Sequence, residues 1–413
     1  MENKTLAYKT LFIATSVLAS AMTVAATNDE GISERLERMQ QEISNLKQQL
    51  ANHPTKEDLR NIEKDVAKAG EWLQPDTLAH VSGFADVGYS KSESQEGSFN
   101  LGTFSPIFHF QYRDLVLLES ELEIEIGDDG ETETRLEYLT IDWFVNDYVV
   151  LVAGKFLSPI GQFRQNLHPS WINKLPSAPP GFGHDGAAPV SDLGLQLRGG
   201  FHLGDIRTNY AFYISNGPEL KSEFEDAEYE LDGVDAEAFG ADNDGEKVVG
   251  GRFGIIPFPG FELGLSAASG KATVTSIEDG DSSVLAGEAA RDYDVVGSDF
   301  NWQLNAFNLR GEYVETKVGV DAGVGTAASE GATWQTWYTQ GAYRISQSKW
   351  ELVTRYSDFD SPHDSQDQKQ WAIGTNYLFS SSFIAKVSYE FNDGQVNSDA
   401  DQDQFLIQMA YGF

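Results

Sequence analysis

From Leu78 to the last residue the side chains change character at every second position, and that period constrains the fold more than any other feature of the chain. Val81, Gly83, Ala85, Val87 and Tyr89 alternate with His80, Ser82, Phe84, Asp86 and Gly88. Successive side chains of a β-strand point to opposite faces, so such a segment is a strand with two unlike faces. The pattern recurs near 78–90, 99–112, 114–126, 132–144, 148–157, 191–203, 206–215, 247–257, 261–271, 292–303, 308–317, 333–345, 350–358, 369–379, 383–392 and 403–413, sixteen segments in all. Most approach or exceed the ~9–11 residues that a tilted strand needs to cross a bilayer.

The connections alternate in length. Short ones fall at Arg113-Asp114, Val145–Asp147, Gly204-Asp205, Pro257–Gly260, Leu304–Phe307, Ser346–Lys349 and Ser380–Ser382, with longer polar ones between them. One face of several strands is apolar throughout: Ile206, Thr208, Tyr210, Phe212 and Ile214; Trp371, Ile373, Thr375, Tyr377 and Phe379; Phe383, Ala385, Val387, Tyr389 and Phe391. In hydrocarbon an unpaired backbone group costs several kcal/mol, so a sheet with this face toward lipid must close on itself. The sequence thus predicts an all-β transmembrane barrel of about sixteen antiparallel strands over residues 75–413, in a bacterial outer membrane. Phe405, Ile407, Met409, Tyr411 and Phe413 carry the alternation to a terminal aromatic, an ending like the assembly signal of such barrels.

Composition narrows the classes. No cysteine occurs, so disulfides, thiolate metal sites and an N-terminal lipid-bearing cysteine are excluded. A formal charge of −35 disfavours non-specific nucleic-acid binding. Nothing in the residues calls for a cofactor. No run approaches the ~18 apolar residues of a membrane helix. Residues 1–26 read as a secretory signal: Lys4 and Lys9 precede an apolar stretch from Leu11 to Ala21, followed by Val24-Ala25-Ala26. Residues 27–74 read as a short α-helical coiled coil in the periplasm. Ile32, Leu36, Met39, Ile43, Leu46 and Leu50 are spaced by four and three, the seam of a heptad repeat. Leu59, Ile62, Val66, Ala69 and Leu73 continue beyond His53-Pro54 as a second stripe. Self-association and a tether to the cell wall both fit it.

Residues 158–190 break the strand pattern. They hold six of the thirteen prolines, Pro159, Pro169, Pro176, Pro179, Pro180 and Pro189, which exclude helix interior and sheet ladder alike. Phe163, Trp171, Ile172, Leu175 and Phe182 give the segment side chains to pack with. The expectation is an ordered insert folded back into the mouth of the barrel, narrowing the passage. Alternation also names inward residues. With Val116, Leu118, Leu122, Ile124 and Ile126 toward lipid, Glu119, Glu121, Glu123 and Glu125 share the lumen face. Arg135, Lys155, Arg198 and Arg252 are expected to line the lumen, as are Arg207, Arg310, Arg344, Arg355 and Lys386. Arg164, His168 and Lys174, with His184, make the insert locally basic. Together these predict a transverse field at the constriction; pairing of Arg164 and Lys174 with the glutamate row would make the same residues structural.

Residues 219–246 carry twelve acids and one base, Lys221, and read as an external loop, either solvated or bridged by divalent cations to lipopolysaccharide. Asp242-Asn243-Asp244-Gly245-Glu246 is not an EF-hand, because the matching register puts Gly240 and Gly251 where acids are required. Four functions can be set against these features. A passive channel fits every feature. A barrel enzyme lacks a G-x-S-x-G motif, and its seven histidines are scattered. A gated receptor would need a plug domain before the barrel. A structural tether would rest on the coiled coil.

VSGFADVGYS opening the barrel, GKFLSPIGQF leading into the insert, LHPSWINKLP within it and DLGLQLRGGF leaving it resemble bacterial porins of the phosphate-selective porin O and P type. That resemblance covers residues from about 75 to 413. It implies a trimeric sixteen-stranded porin set in membrane lipid and passing small hydrophilic solutes or ions. Phosphate selectivity is not implied, because the arginine and lysine arrays behind it have no residue-by-residue match here.

Overall fold

The computed structural model describes residues 77–413, apart from 128–129, 184–186, 226–227, 236–241, 243–244, 279–284, 286–287, 321–327, 329, 364 and 397. The export signal expected at 1–26, the coiled coil expected at 27–74 and His184 lie outside the described residues.

Strands β1 (Thr77–Ser92), β2 (Ser98–Tyr112), β3 (Val116–Ile126), β4 (Thr132–Asn146), β5 (Val149–Leu157), β6 (Ser191–Leu203) and β7 (Ile206–Ser215) run in antiparallel succession. Next come β8 (Glu219–Glu225) and β9 (Glu228–Asp235), then β10 (Val248–Phe258), β11 (Phe261–Ala272), β12 (Val274–Glu278), β13 (Arg291–Leu304), β14 (Phe307–Val318) and β15 (Ala332–Arg344). The chain ends with β16 (Trp350–Asp360), β17 (Gln368–Leu378), β18 (Phe383–Gly394) and β19 (Gln404–Gly412). All except β8, β9 and β12 form one closed barrel of sixteen strands. Closure pairs β1 with β19, setting Phe84 opposite Gly412 and Tyr89 opposite Ile407. The seam is sealed where Gly83 donates to the Phe413 carbonyl at 3.0 Å and Phe413 donates back at 2.9 Å.

Each expected barrel segment is a barrel strand, within a few residues at either end. The exposure of the two faces is the reverse of a soluble sandwich. On β7 and β17, Phe212 and Trp371 are 53% and 52% exposed, while Asn376 and Arg355 inside the barrel are fully buried. Large apolar side chains point outward and charged ones inward, the arrangement a bilayer requires. Short turns gather at one end, the turn end, and long connections at the other, the loop end.

Two features of the fold differ from the sequence expectation. The acidic stretch after β7 is not merely a loop: β8, β9 and β12 form a three-stranded sheet in the order β12-β8-β9. Leu220, Leu231, Val234 and Val274 are its buried side, and His363 of the loop 361–367 reaches the Leu231 carbonyl at 2.8 Å. The run of acids hid a weak apolar alternation. Lys155 does not line the lumen. It pairs with Leu139 and Leu193 on the outward face, in step with Leu151 and Ala153, while buried Val152 and Phe156 take the inward positions. It is near the loop end of β5, where a long cationic side chain can extend to the interface beyond the apolar band.

The 158–190 insert joins β5 to β6 and occupies part of the interior; its described residues include a π-helical turn, Phe163–Leu167. Phe163 and Phe182 meet Tyr338 of β15 with ring centroids 6.4 and 5.2 Å away, anchoring a buried apolar cluster. Burying each such ring contributes roughly 1.5–3 kcal/mol. Lower down, Leu175 packs with Ala342, Val353 and Ala372.

Replacing lipid-facing Ile373 by Arg should cost about 2–4 kcal/mol if it lies near the bilayer midplane. Denaturant unfolding in lipid vesicles measures this, and an unchanged midpoint would place Ile373 on a wet face.

Candidate functional site

Prolines remove backbone donors but leave their carbonyls, so an insert this rich in proline must find donors elsewhere. The barrel wall supplies them. Arg355 of β16 donates to the carbonyls of Ser177 and Ala178, each at 3.0 Å, and to the Ser177 hydroxyl at 2.9 Å. Lys386 of β18 donates to the carbonyls of Ser170 and Leu175, the latter at 3.2 Å. Asn376 of β17 donates to Lys174 O at 2.9 Å, Thr336 of β15 to Pro180 O at 2.7 Å and Thr316 of β14 to Ala187 O at 2.6 Å. Conversely, the Phe163 N–H donates to the Glu312 carboxylate of β14 at 3.1 Å.

This clamp presses the insert against the β14–β18 wall and draws it deeper than a constriction at the mouth. Trp171 lies over Gly412 at the turn end, where an added Cβ would approach its ring to 2.8 Å. Gly161 fits where no other residue would. Its φ is +75°, and a Cβ would fall 1.6 Å from the Glu312 carboxylate.

What stays open is a polar crevice between insert residues 162–169 and the opposite wall. One part, about 530 Å³, is bounded by Gln162, Gln165, Asn166, Arg198, Asn209, Arg252 and Glu262. The second, about 270 Å³, is bounded by Glu119, Glu121, Tyr138, Thr140, Gln165, Asn166, His168, Gln196 and Arg198. Gln165, Asn166 and Arg198 belong to both, so the two parts adjoin.

The crevice charges are fixed by partners. Arg252 of β10 is held by Asp299 at 2.7 and 2.8 Å, by Asn209 at 2.8 Å and by Glu262 at 3.0 Å. Gln162 of the insert donates to the same Glu262 at 2.9 Å. Arg198 of β6 pairs with buried Asp142 of β4. Glu119 accepts from the Tyr138 hydroxyl at 2.9 Å, and His109 stands 3.6 Å away. His168 of the insert faces Glu121 at 3.9 Å.

The residues expected at the site therefore divide. Glu119, Glu121, Glu123 and Glu125 share the inward face of β3, as read. Arg135 is inward but sits toward the loop end, paired with Glu125 at 3.2 Å and Glu133 at 3.0 Å. Arg198, Arg252 and His168 border the crevice. Arg164 is buried and absent from the crevice lining, because the π-helical turn directs Gln165 and Asn166 there instead. Lys174 pairs with Glu351 of β16 at 2.7 Å, on the clamped side and away from the glutamate row. The pairing of Lys174 with the glutamate row, one of the two expectations for it, is thus replaced by a pairing with Glu351. Gln196, Glu262, Asp142 and Asp299 escaped the sequence reading. Each has inward parity, which was the available signal.

Residues 262–413 match the family model described as phosphate-selective porin O and P. No curated protein sequence matches the chain. Among solved structures, an anion-selective porin from Comamonas acidovorans is similar with TM-score 0.57 and 14% identity, over 82% of this chain and 100% of that one. OmpT of Vibrio cholerae in its trimer form gives TM-score 0.51 and 12% identity, over 82% and 99%. OmpF of Salmonella typhi in complex with daunomycin gives 0.51 and 16%, over 82% and 98%. The fold is that of outer-membrane porins.

If the clamp holds the insert, Arg355→Met should loosen it locally. Each buried carbonyl left without a donor costs roughly 1–3 kcal/mol. Hydrogen exchange should then quicken for amides in 170–182 and stay unchanged in β3 and β4. Protection equal to wild type throughout would remove Arg355 from the account.

Proposed function

We propose that the chain is an outer-membrane porin, a water-filled channel for passive diffusion of small hydrophilic solutes and ions. One observation carries this reading: inside a closed barrel with an apolar exterior, a polar crevice runs beside insert residues Gln162, Gln165, Asn166, His168 and Pro169. Gln165, Asn166, Arg198 and the carboxylates opposite give a passing solute hydrogen bonds to exchange for water. The crevice carries the carboxylates Glu119 and Glu121 on β3 and the paired guanidiniums Arg198 and Arg252 on β6 and β10, and a dipolar solute would be turned by that uneven distribution of charge. The match of 262–413 to a porin family supports the same reading.

On this reading the turn end faces the periplasm and the loop end faces outward, where lipopolysaccharide surrounds the rim. Residues 1–26 serve export. The heptad spacing of 27–74 fits a periplasmic coiled coil through which copies of the chain associate, and the assembly proposed is a homotrimer like the trimer form of the similar Vibrio cholerae protein. The chain acts as a channel and not as an enzyme.

Purified protein in a planar bilayer should give stable conductance steps, and silent membranes would refute the reading. Arg198→Gln should move the reversal potential in a salt gradient toward cation preference. Lys155→Gln, on the outer face, should leave it in place; a shift there and none at Arg198 would invert the assignment of faces.

A further inference from the structure

The smaller part of the crevice has the makings of a binding subsite. Glu119 and Glu121, two residues apart on one face of β3, stand ~7 Å apart along the strand. Gln196 of β6 lines the same cavity, only 1% exposed, and among the described residues neither its amide nitrogen nor its amide oxygen has a partner. A buried amide left unmatched is costly, so a polar group of an entering solute that reached this donor and acceptor would relieve it. The single guanidinium at the edge, Arg198, is already paired with Asp142. With histidines counted as neutral, Glu119, Glu121 and Asp142 against Arg198 leave the group formally negative; His109 stands 3.6 Å from Glu119 and His168 3.9 Å from Glu121. Among the described residues no three His, Asp or Glu side chains converge as ligands for a metal ion. The cavity, about 270 Å³, has room for a solute of a few heavy atoms, since one water occupies ~30 Å³ in the liquid.

We infer that this part of the crevice binds a small organic cation. A primary ammonium sits between Glu119 and Glu121, and the hydrogen-bonding remainder of the solute rests on the Gln196 amide. The inference deepens the channel reading by naming a solute class, and it runs against an anion preference such as the similar Comamonas acidovorans porin is named for.

Titration calorimetry on the detergent-solubilised full chain tests it, with ethanolammonium chloride as probe and sodium glycolate and potassium chloride as comparators. Saturable binding of ethanolammonium alone is expected, weakened at least tenfold by Glu121→Gln and by Gln196→Leu. Should Glu121→Gln fail to fold, Glu119→Gln takes its place with the same expectation. No saturable binding, equal binding of glycolate or of potassium, or affinity indifferent to the glutamate variants would overturn the proposal. Bilayer recordings separate the two claims. Conductance without ethanolammonium binding overturns the subsite and leaves the channel standing; binding without conductance upholds the subsite and overturns the channel.

Discussion

Everything inside this barrel depends on where the carbonyl groups of the insert find hydrogen-bond donors. A segment with six prolines in residues 158–190 cannot build a ladder or a helix of its own. Placed in water it would be one conformer among many. Placed inside a closed sheet, it meets Arg355, Lys386, Asn376, Thr336 and Thr316, which project from five neighbouring strands and donate to its backbone. Leaving those carbonyls buried and unmatched would cost more than ordering the loop, so the insert settles on that wall. The apolar contacts of Phe163, Leu175 and Phe182 add attraction in the same direction.

The position of the passage follows from this. With the insert fixed to β14–β18, the open space lies along β3–β7 and β10–β11, and its lining is inherited from both sides. The π-helical turn turns Gln165 and Asn166 toward it and Arg164 away. The wall contributes Arg198 and Arg252, each tied to a carboxylate, so the guanidiniums are held in position while much of their charge is offset nearby. Between these fixed charges Gln196 lies buried, its amide without a partner among the described residues.

Much of the barrel was legible in the sequence because a membrane strand states its two faces every second residue. Phe212 and Trp371 outside, Glu121 and Asn209 inside, follow from parity alone. Lys155 shows the limit of a different habit, that of sending every charge inward: parity already put it with Leu151 and Ala153, and a lysine near the rim has no need of the lumen. The small β8, β9 and β12 sheet was hidden because its acids outnumber its apolar residues. The insert was recognised by its prolines, yet its depth and its wall were not legible. Those depend on which inward side chains meet which carbonyls across more than a hundred residues of sequence, as Lys386 meets Leu175. No local pattern encodes that.

The central claim is that the insert lies on one wall and the open passage on the other. A chain without cysteine allows a direct measurement, because any thiol introduced is the sole one. Single variants Asn166→Cys, Ser388→Cys and Ile373→Cys, each exposed to a charged, water-soluble thiosulfonate reagent during bilayer recording, sample the crevice, the clamped wall and the lipid face. Current should fall on modification at Asn166 and hold steady at Ser388 and Ile373. A drop at Ser388 with none at Asn166 would mean that solutes pass on the side assigned to the clamp, and the account would be wrong.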